Sequence, residues 1–217
     1  ACKKKLIMNH MYSIVIQAGG KSSRMRVDKS FVSLCGKPLI EHVIEKIGCA
    51  GDEIIITTTD TAGYFNYEVK LVPDYYPNSG ALAGLHAGIK AAKNDRIIVV
   101  ANDMPFVSIA LVEYMKSLMK ADVDVVIPQS KEGLEPLHAI YRKSTSLPAI
   151  EKAIQQNSKR IISWFPAVKV QVVYKSVVES MDPEGLAFFN VNTPEELCKA
   201  EQIITHRSSG NYSTITR

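Results

Sequence analysis

Short β-branched runs alternate with stretches of helical period along most of the chain. Tyr12–Gln17 (YSIVIQ) predicts a first strand, and Phe31–Leu34 predicts a short extended piece ending at Cys35-Gly36. Pro38 then opens a helix whose apolar positions, Leu39, Ile40, Val43, Ile44 and Ile47, follow the 3.6-residue period and stop before Gly48. Glu53–Thr59 and Val69–Val72 read as strands, the second stopped by Pro73. Leu82–Ala92 reads as a helix with Leu82, Leu85 and Ile89 on its apolar stripe. Arg96–Ala101 (RIIVVA) has the unbroken apolar run of a strand buried on both faces. Ser108 is a good N-cap for a helix that buries Leu111, Val112, Met115, Leu118 and Met119. Asp124–Pro128 and Leu137–Tyr141 follow as strands, Leu147–Gln156 as a helix, Val168–Tyr174 as a strand and Thr193–Ile204 as a final helix.

Strands alternating with helices predict an α/β fold, a single three-layer α/β/α domain around a mainly parallel, Rossmann-like sheet. No internal repeat and no Gly/Ser or Pro linker divides the chain, so residues 11–206 are expected to form that domain. Residues 1–10 read as a basic tail, and the polar stretch 207–217 is expected to be disordered. In such sheets ligands bind outside the carboxyl ends of the strands, which directs attention to the residues following Gln17, Thr59, Val72 and Ala101.

Composition narrows the class without naming a function. The 217 residues, 46% hydrophobic and 22% charged, are globular in character and long enough for a core without staples. A net charge of +4 is too small to argue for nucleic acid, though it favours anionic small molecules. The four cysteines, Cys2, Cys35, Cys49 and Cys198, form no CxxC pair, which gives a zinc site or a disulfide framework little support. Lys3-Lys4-Lys5 followed by Leu6-Ile7-Met8 imitates a signal peptide, but the apolar run stops at Asn9-His10. No run approaches the ~20 apolar residues of a membrane span. The expectation is a cytoplasmic protein with neither membrane nor nucleic acid as partner.

The chemistry concentrates after the first strand, in Gln17-Ala18-Gly19-Gly20-Lys21-Ser22-Ser23-Arg24-Met25-Arg26-Val27-Asp28-Lys29. Adjacent glycines allow close approach of the backbone and offer consecutive N–H groups, and the cations at Lys21, Arg24, Arg26 and Lys29 suit a polyphosphate. Neither the Walker A spacing nor the dinucleotide G-x-G-x-x-G is present.

The pattern A-G-G-x-S-x-R-M-x-x-D-K resembles the signature loop of nucleotidyltransferases with the nucleotide-diphospho-sugar transferase-like fold. Its Ser-Ser-Arg-Met and Asp-Lys spacing is most similar to the molybdenum cofactor guanylyltransferases and their cytidylyltransferase relatives. Gln17 stands where many relatives have Leu, and Arg26 where they have Gly. Later segments continue the likeness in order from about Tyr12 to Ile204: Gly36-Lys37-Pro38-Leu39, Val72-Pro73-Asp74 with Gly80-Ala81-Leu82-Ala83-Gly84, and Asn102-Asp103-Met104-Pro105 for the family's C-D-x-P. Glu135-Pro136-Leu137-His138-Ala139-Ile140-Tyr141 resembles its P-L-x-A-x-Y strand, and Phe189-Asn190-Val191-Asn192-Thr193-Pro194-Glu195-Glu196-Leu197 its F-N-x-N-T-P-E-D-L. In that last segment Thr193, Pro194 and Glu196 are accounted for by a capping box, whereas Asn190 and Asn192 are not.

The resemblance implies a Mg²⁺-dependent transfer of GMP from GTP to molybdopterin, yielding the guanine dinucleotide cofactor and pyrophosphate. It implies catalytic roles for Lys29, Arg24 and Asp103, with Asp103 as the metal ligand. Gln17, Ala18, Gly19, Gly20, Lys29, Thr57, Asp74, Gly80 and Asp103 would then form the nucleotide site, and His138, Asn190 and Asn192 would be contacts for the acceptor. Independently of the likeness, a carboxylate at the mouth of a buried strand beside phosphate charge suits a hard cation. Thr57 occupies the position at which relatives read the base, often with Asn, and a hydroxyl lacks the two-pronged reach of an amide. A cytidylyltransferase on the same pterin, a sugar-phosphate nucleotidyltransferase, and a non-catalytic protein that binds nucleotide or delivers cofactor are the alternatives. Apo-molybdoenzymes or other cofactor-biosynthesis proteins would be the protein partners.

Overall fold

The computed structural model describes residues 12–18, 29–73, 76 and 80–210. Strand β1 (Tyr12–Gln17) is buried at every position. A 3₁₀ turn at Lys29–Phe31 leads into a small hairpin of β2 (Ser33–Leu34) and β3 (Lys37–Pro38), turned at Cys35 and Gly36, both with positive φ. The expected extended piece is thus divided between a turn and a strand. Helix α1 (Leu39–Ile47) buries Leu39, Ile40, Val43 and Ile47. Next come β4 (Glu53–Thr57), β5 (Lys70–Val72), α2 (Ala81–Ala91), β6 (Arg96–Ala101) and α3 (Ile109–Leu118). The side chain of Ser108 caps α3 by accepting from the Leu111 N–H. The chain continues as β7 (Val125–Ser130), β8 (Gly133–Leu134), β9 (His138–Arg142), α4 (Lys143–Gln155), β10 (Val170–Val173), α5 (Lys175–Met181) and α6 (Pro194–Gly210).

Among the described residues the main sheet runs in the order β5-β4-β1-β6-β9-β7-β10, with β8 paired to β7. The β5/β4, β4/β1, β1/β6 and β7/β10 pairs are parallel, and β9 lies antiparallel to both its neighbours. Alternation along β1 divides the core into two layers. Ile14 and Ile16 pack with residues of α1 and α3 (Ile40, Val43, Leu111, Val112), while Val15 packs with residues of α2 and α4 (Leu82, Leu85, Ile150, Ile154). A third cluster of Leu34, Leu39, Phe106, Val191 and Ala200 fastens the hairpin and α6 to the end of the sheet. No described helix is long and apolar enough to cross a membrane.

Three departures from the sequence expectation have physical causes. Helix α4 begins at Lys143 rather than Leu147, because Asp95, just before the neighbouring strand β6, caps it: its Oδ1 accepts from the Ser144 N–H at 2.8 Å and its carbonyl from the Lys143 N–H at 2.7 Å. Strand β10 stops at Val173, and the following residues wind into α5, which buries Val178. Helix α6 runs on to Gly210, past the expected boundary at Arg207. Arg207 is engaged there, 2.8 Å from Glu184 and 5.6 Å from the centre of the Phe106 ring.

Candidate functional site

Register brings the carboxyl ends of three strands level. Gln17 pairs with Thr57 on one side and with Ala101 on the other. The chain leaves this row under control: the Ala18 N–H donates to the Thr57 carbonyl at 2.9 Å and the Asn102 N–H to the Gln17 carbonyl at 3.1 Å. Asp103 follows immediately beyond the end of β6, as the strand-end argument requires.

Lys29 reaches this row from the 3₁₀ turn, its Nζ 3.9 Å from Asp103 Oδ2 and hydrogen-bonded to Asn192 Oδ1. The backbone carbonyl of Asp103 accepts from the Val191 N–H at 2.9 Å, so the segment carrying Asn190 and Asn192 is docked directly on the carboxylate's own residue. Glu196 Oε2 accepts from the Asn192 and Thr193 N–H groups at 2.7 and 3.0 Å, and the Glu196 N–H returns to Thr193 Oγ1. This is the capping box, and it holds Asn192 in place as well as starting α6. Burial pushes the Asp103 carboxyl above its ordinary value, and Lys29 opposes that shift only in part. Beside this pair, Asn102 Nδ2 donates to Ser30 Oγ at 2.8 Å and Tyr64 Oη donates to the same oxygen at 2.7 Å. Sequence reasoning missed all three of these residues. An amide beside a strand-mouth aspartate was a visible signal at Asn102; Tyr64, in a loop, gave none.

At the other side of the strand ends, the Gln17 side chain is buried against the first turn of α2. Its Nε2 donates to the Ala81 carbonyl at 3.0 Å, and its amide lies so close to Gly84 that a Cβ there would stand 2.9 Å away. Gly80 precedes α2 with φ 58°, a conformation that suits glycine. Thr57 is buried beneath the same helix, its Cγ2 3.2 Å from where a Cβ on Gly88 would lie. Gln17 Oε1 and Thr57 Oγ1 have no hydrogen-bond partner among the described residues. The expected contacts at Gly19, Gly20, Arg24 and Asp74 lie outside the described residues.

A cleft of about 650 Å³ opens next to Asn192, with Gln129, Glu135, Asp182, Phe188 and Asn190 in its walls. Asn190 donates to the Phe188 carbonyl at 3.2 Å, which turns it back on its own segment. Thus Asn192 meets Lys29 while Asn190 does not. His138 does not line the cleft. It is fully buried, edge-on to the Phe188 ring at 5.1 Å, with neither ring nitrogen partnered among the described residues. Burial pushes its pKa down to about 4, so the ring is neutral at physiological pH. Burial raises the Glu135 carboxyl.

The donors fit a hard divalent cation of the kind that binds through one or two carboxylates and substrate phosphates. Asp103 places a carboxylate at the strand mouth that could serve as one oxygen ligand, and no cluster of three or more His, Cys, Asp or Glu side chains among the described residues offers an all-protein cage. Residues 14–169 match the family model described as the MobA-like NTP transferase domain. The chain is 32% identical over 197 residues to a probable molybdenum cofactor guanylyltransferase of Peptoclostridium acidaminophilum, covering 88% of this chain and 89% of the relative. It is 31% identical to the molybdenum cofactor guanylyltransferase of Desulfosudis oleivorans, with 88% and 94% covered. The crystal structure of molybdopterin-guanine dinucleotide biosynthesis protein A from Archaeoglobus fulgidus superposes with a TM-score of 0.77 at 31% identity, covering 89% of this chain and 99% of that one. Nucleotidyltransferases of this family generally use a divalent metal. A nucleotide-transferring fold, a lysine–aspartate pair at its strand ends and relatives matched over nearly their whole length make this chain a nucleotidyltransferase belonging to the MobA-like NTP transferase family.

Proposed function

We propose that the chain is a cytoplasmic, Mg²⁺-dependent molybdenum cofactor guanylyltransferase, transferring GMP from GTP to molybdopterin with release of pyrophosphate. The observation that carries this reading is the Lys29–Asp103 pair at the strand mouth, with the acceptor cleft opening beside Asn192. The acceptor's terminal phosphate oxygen forms a bond to the α-phosphorus of GTP while the bond to the β-phosphate oxygen breaks. A phosphate monoester is largely dianionic at neutral pH, its second pKa being about 6. The protein therefore needs no general base, and the neutral, buried His138 supplies none. Catalysis reduces to in-line positioning and charge neutralisation.

Asp103 would hold the metal, and Lys29 and Arg24 would neutralise charge on the β- and γ-phosphates. Bound Mg²⁺ supplies Lewis-acid neutralisation of the α-phosphate and of the departing pyrophosphate. The backbone of Ala18, Gly19 and Gly20 would line the triphosphate, although the Ala18 N–H is committed to the Thr57 carbonyl. Gly80, Gln17 and Thr57, together with Asp74, would serve the nucleotide, and Asn190 and Asn192 the acceptor. The Lys29 ammonium has three N–H donors, so it can meet a phosphate while still bonded to Asn192.

The test is pyrophosphate release from GTP, CTP, ATP or UTP with molybdopterin, with and without Mg²⁺. Turnover with GTP alone and only with Mg²⁺ is expected. Preference for CTP would keep the enzyme class and change its product, and nucleotide binding without turnover would overturn the catalytic reading.

A further inference from the structure

Lys29 and Asp103 come from distant segments, yet the residues immediately following the first and preceding the second are joined. Asn102 donates through Nδ2 to Ser30 Oγ at 2.8 Å. Ser30 is completely buried, and Tyr64 donates to the same oxygen at 2.7 Å. The flanking backbone is anchored as well, by the Asn102 N–H to the Gln17 carbonyl at 3.1 Å and the Val32 N–H to the Lys29 carbonyl at 3.2 Å. Tyr64 is itself held by burial and by an edge-on contact with Phe31 at 4.8 Å. Gly63 makes that contact possible, since a Cβ there would lie 2.6 Å from the Phe31 ring.

We propose that Ser30 and Asn102, backed by Tyr64, are positioning residues that set the spacing between the phosphate-binding lysine and the metal-binding aspartate. The inference rests on the roles given above to Lys29 and Asp103. A lysine side chain is a flexible four-carbon stem, so its head is placed only as well as its backbone is anchored. The Ser30–Asn102 bond supplies that anchor one residue away and ties it to the segment that carries the carboxylate. Burial alone does not require this arrangement. A buried hydroxyl needs one partner, which Tyr64 already provides, whereas the second donor comes from the residue that adjoins Asp103.

A misplacement of about 1 Å at a reacting centre can cost ~10²-fold in rate. The test uses the full chain with GTP, molybdopterin and Mg²⁺, comparing Asn102→Ala, Ser30→Ala and the double variant by steady-state kinetics and thermal unfolding. Each single change is expected to lower kcat about 10–100-fold while the KM for GTP changes less than about threefold. The double variant should be no worse than the poorer single one, because the residues act as a unit. Tyr64→Phe removes one donor, leaves the Asn102–Ser30 bond, and should lose less. A folded Asn102→Ala variant with kcat within about twofold of the parent would overturn the proposal whatever its melting temperature, as would multiplied losses in the double variant. If Asn102→Ala does not fold, Ser30→Ala decides alone; failure of both to fold would make the network structural and end the proposal. A parent chain that turns over no nucleotide would remove the functional reading and this one together, whereas an active parent with unaffected variants removes this one alone.

Discussion

Asp103 and His138 lie towards the same end of the sheet, and the fold treats them in opposite ways. Asp103 keeps a partly exposed carboxylate facing a lysine head, with its backbone bonded to Val191. His138 is sealed behind Phe188 without a partner among the described residues, and is neutral in consequence. Both sit in segments that match the family, and both are residue types that do acid–base or metal chemistry. What separates them is access and pairing. A charged group kept for ligand work retains a neighbour that can leave it, whereas a polar group serving the core is simply deprived of its charge.

The largest expected effect tests the first half of that contrast. Asp103→Asn keeps the shape and removes the charge; turnover should fall about 10³-fold, equivalent to ~4 kcal/mol of transition-state stabilisation. Its melting temperature should hold or rise, since burying the ionised carboxylate works against folding. Activity within tenfold of the parent would take the metal role away from Asp103. Lys29→Ala should cost about 10²-fold in kcat/KM, and isothermal titration should show weakened GTP binding. Unchanged nucleotide affinity would place the lysine outside the site.

The second half is tested by acid. The folded-state pKa of His138 lies below the ordinary 6.5, so the unfolded chain takes up its proton first and stability is lost as pH falls from about 6.5 towards about 4. The full loss is roughly 3 kcal/mol. Chemical denaturation across that window should show it, and His138→Leu should remove that part of the acid sensitivity while leaving turnover near the parent's. A variant of normal stability with a collapsed affinity for acceptor would instead return the histidine to the binding site. For Asp103 the sign is reversed: its raised pKa makes apparent Mg²⁺ affinity decline on acidification sooner than an ordinary aspartate would allow, measurable by metal titration at stepped pH. Smallest of all, Arg207→Ala should shift stability by less than about 1 kcal/mol, because its pair with Glu184 is exposed.

Much of the frame was legible because period and punctuation act locally. The apolar run of β6 marked a buried strand, and the strand-end argument singled out the aspartate just past it as a candidate. The start of α4 was not legible, because its cap is Asp95, reached only once the sheet has formed. The partnership of Lys29 with Asn192 was hidden for the same reason: the sequence pattern put both asparagines on the acceptor, while the docked segment turns one of them to the lysine. Ser30, Asn102 and Tyr64 are unremarkable singly and become a unit only where three segments cross. Long-range polar pairs leave no periodic trace, and it is on such pairs that the site depends.

The bond from Val191 to Asp103 also sets an order of events during synthesis. A nascent chain would have made β1, Lys29 and Asp103 well before Asn192 emerged, a lag of several seconds at ~5–20 residues per second. Throughout that interval the lysine lacks its amide partner and the aspartate its backbone strut. The ribosome therefore releases most of a sheet before it releases an enzyme, and a segment made late brings the reactive centre into register.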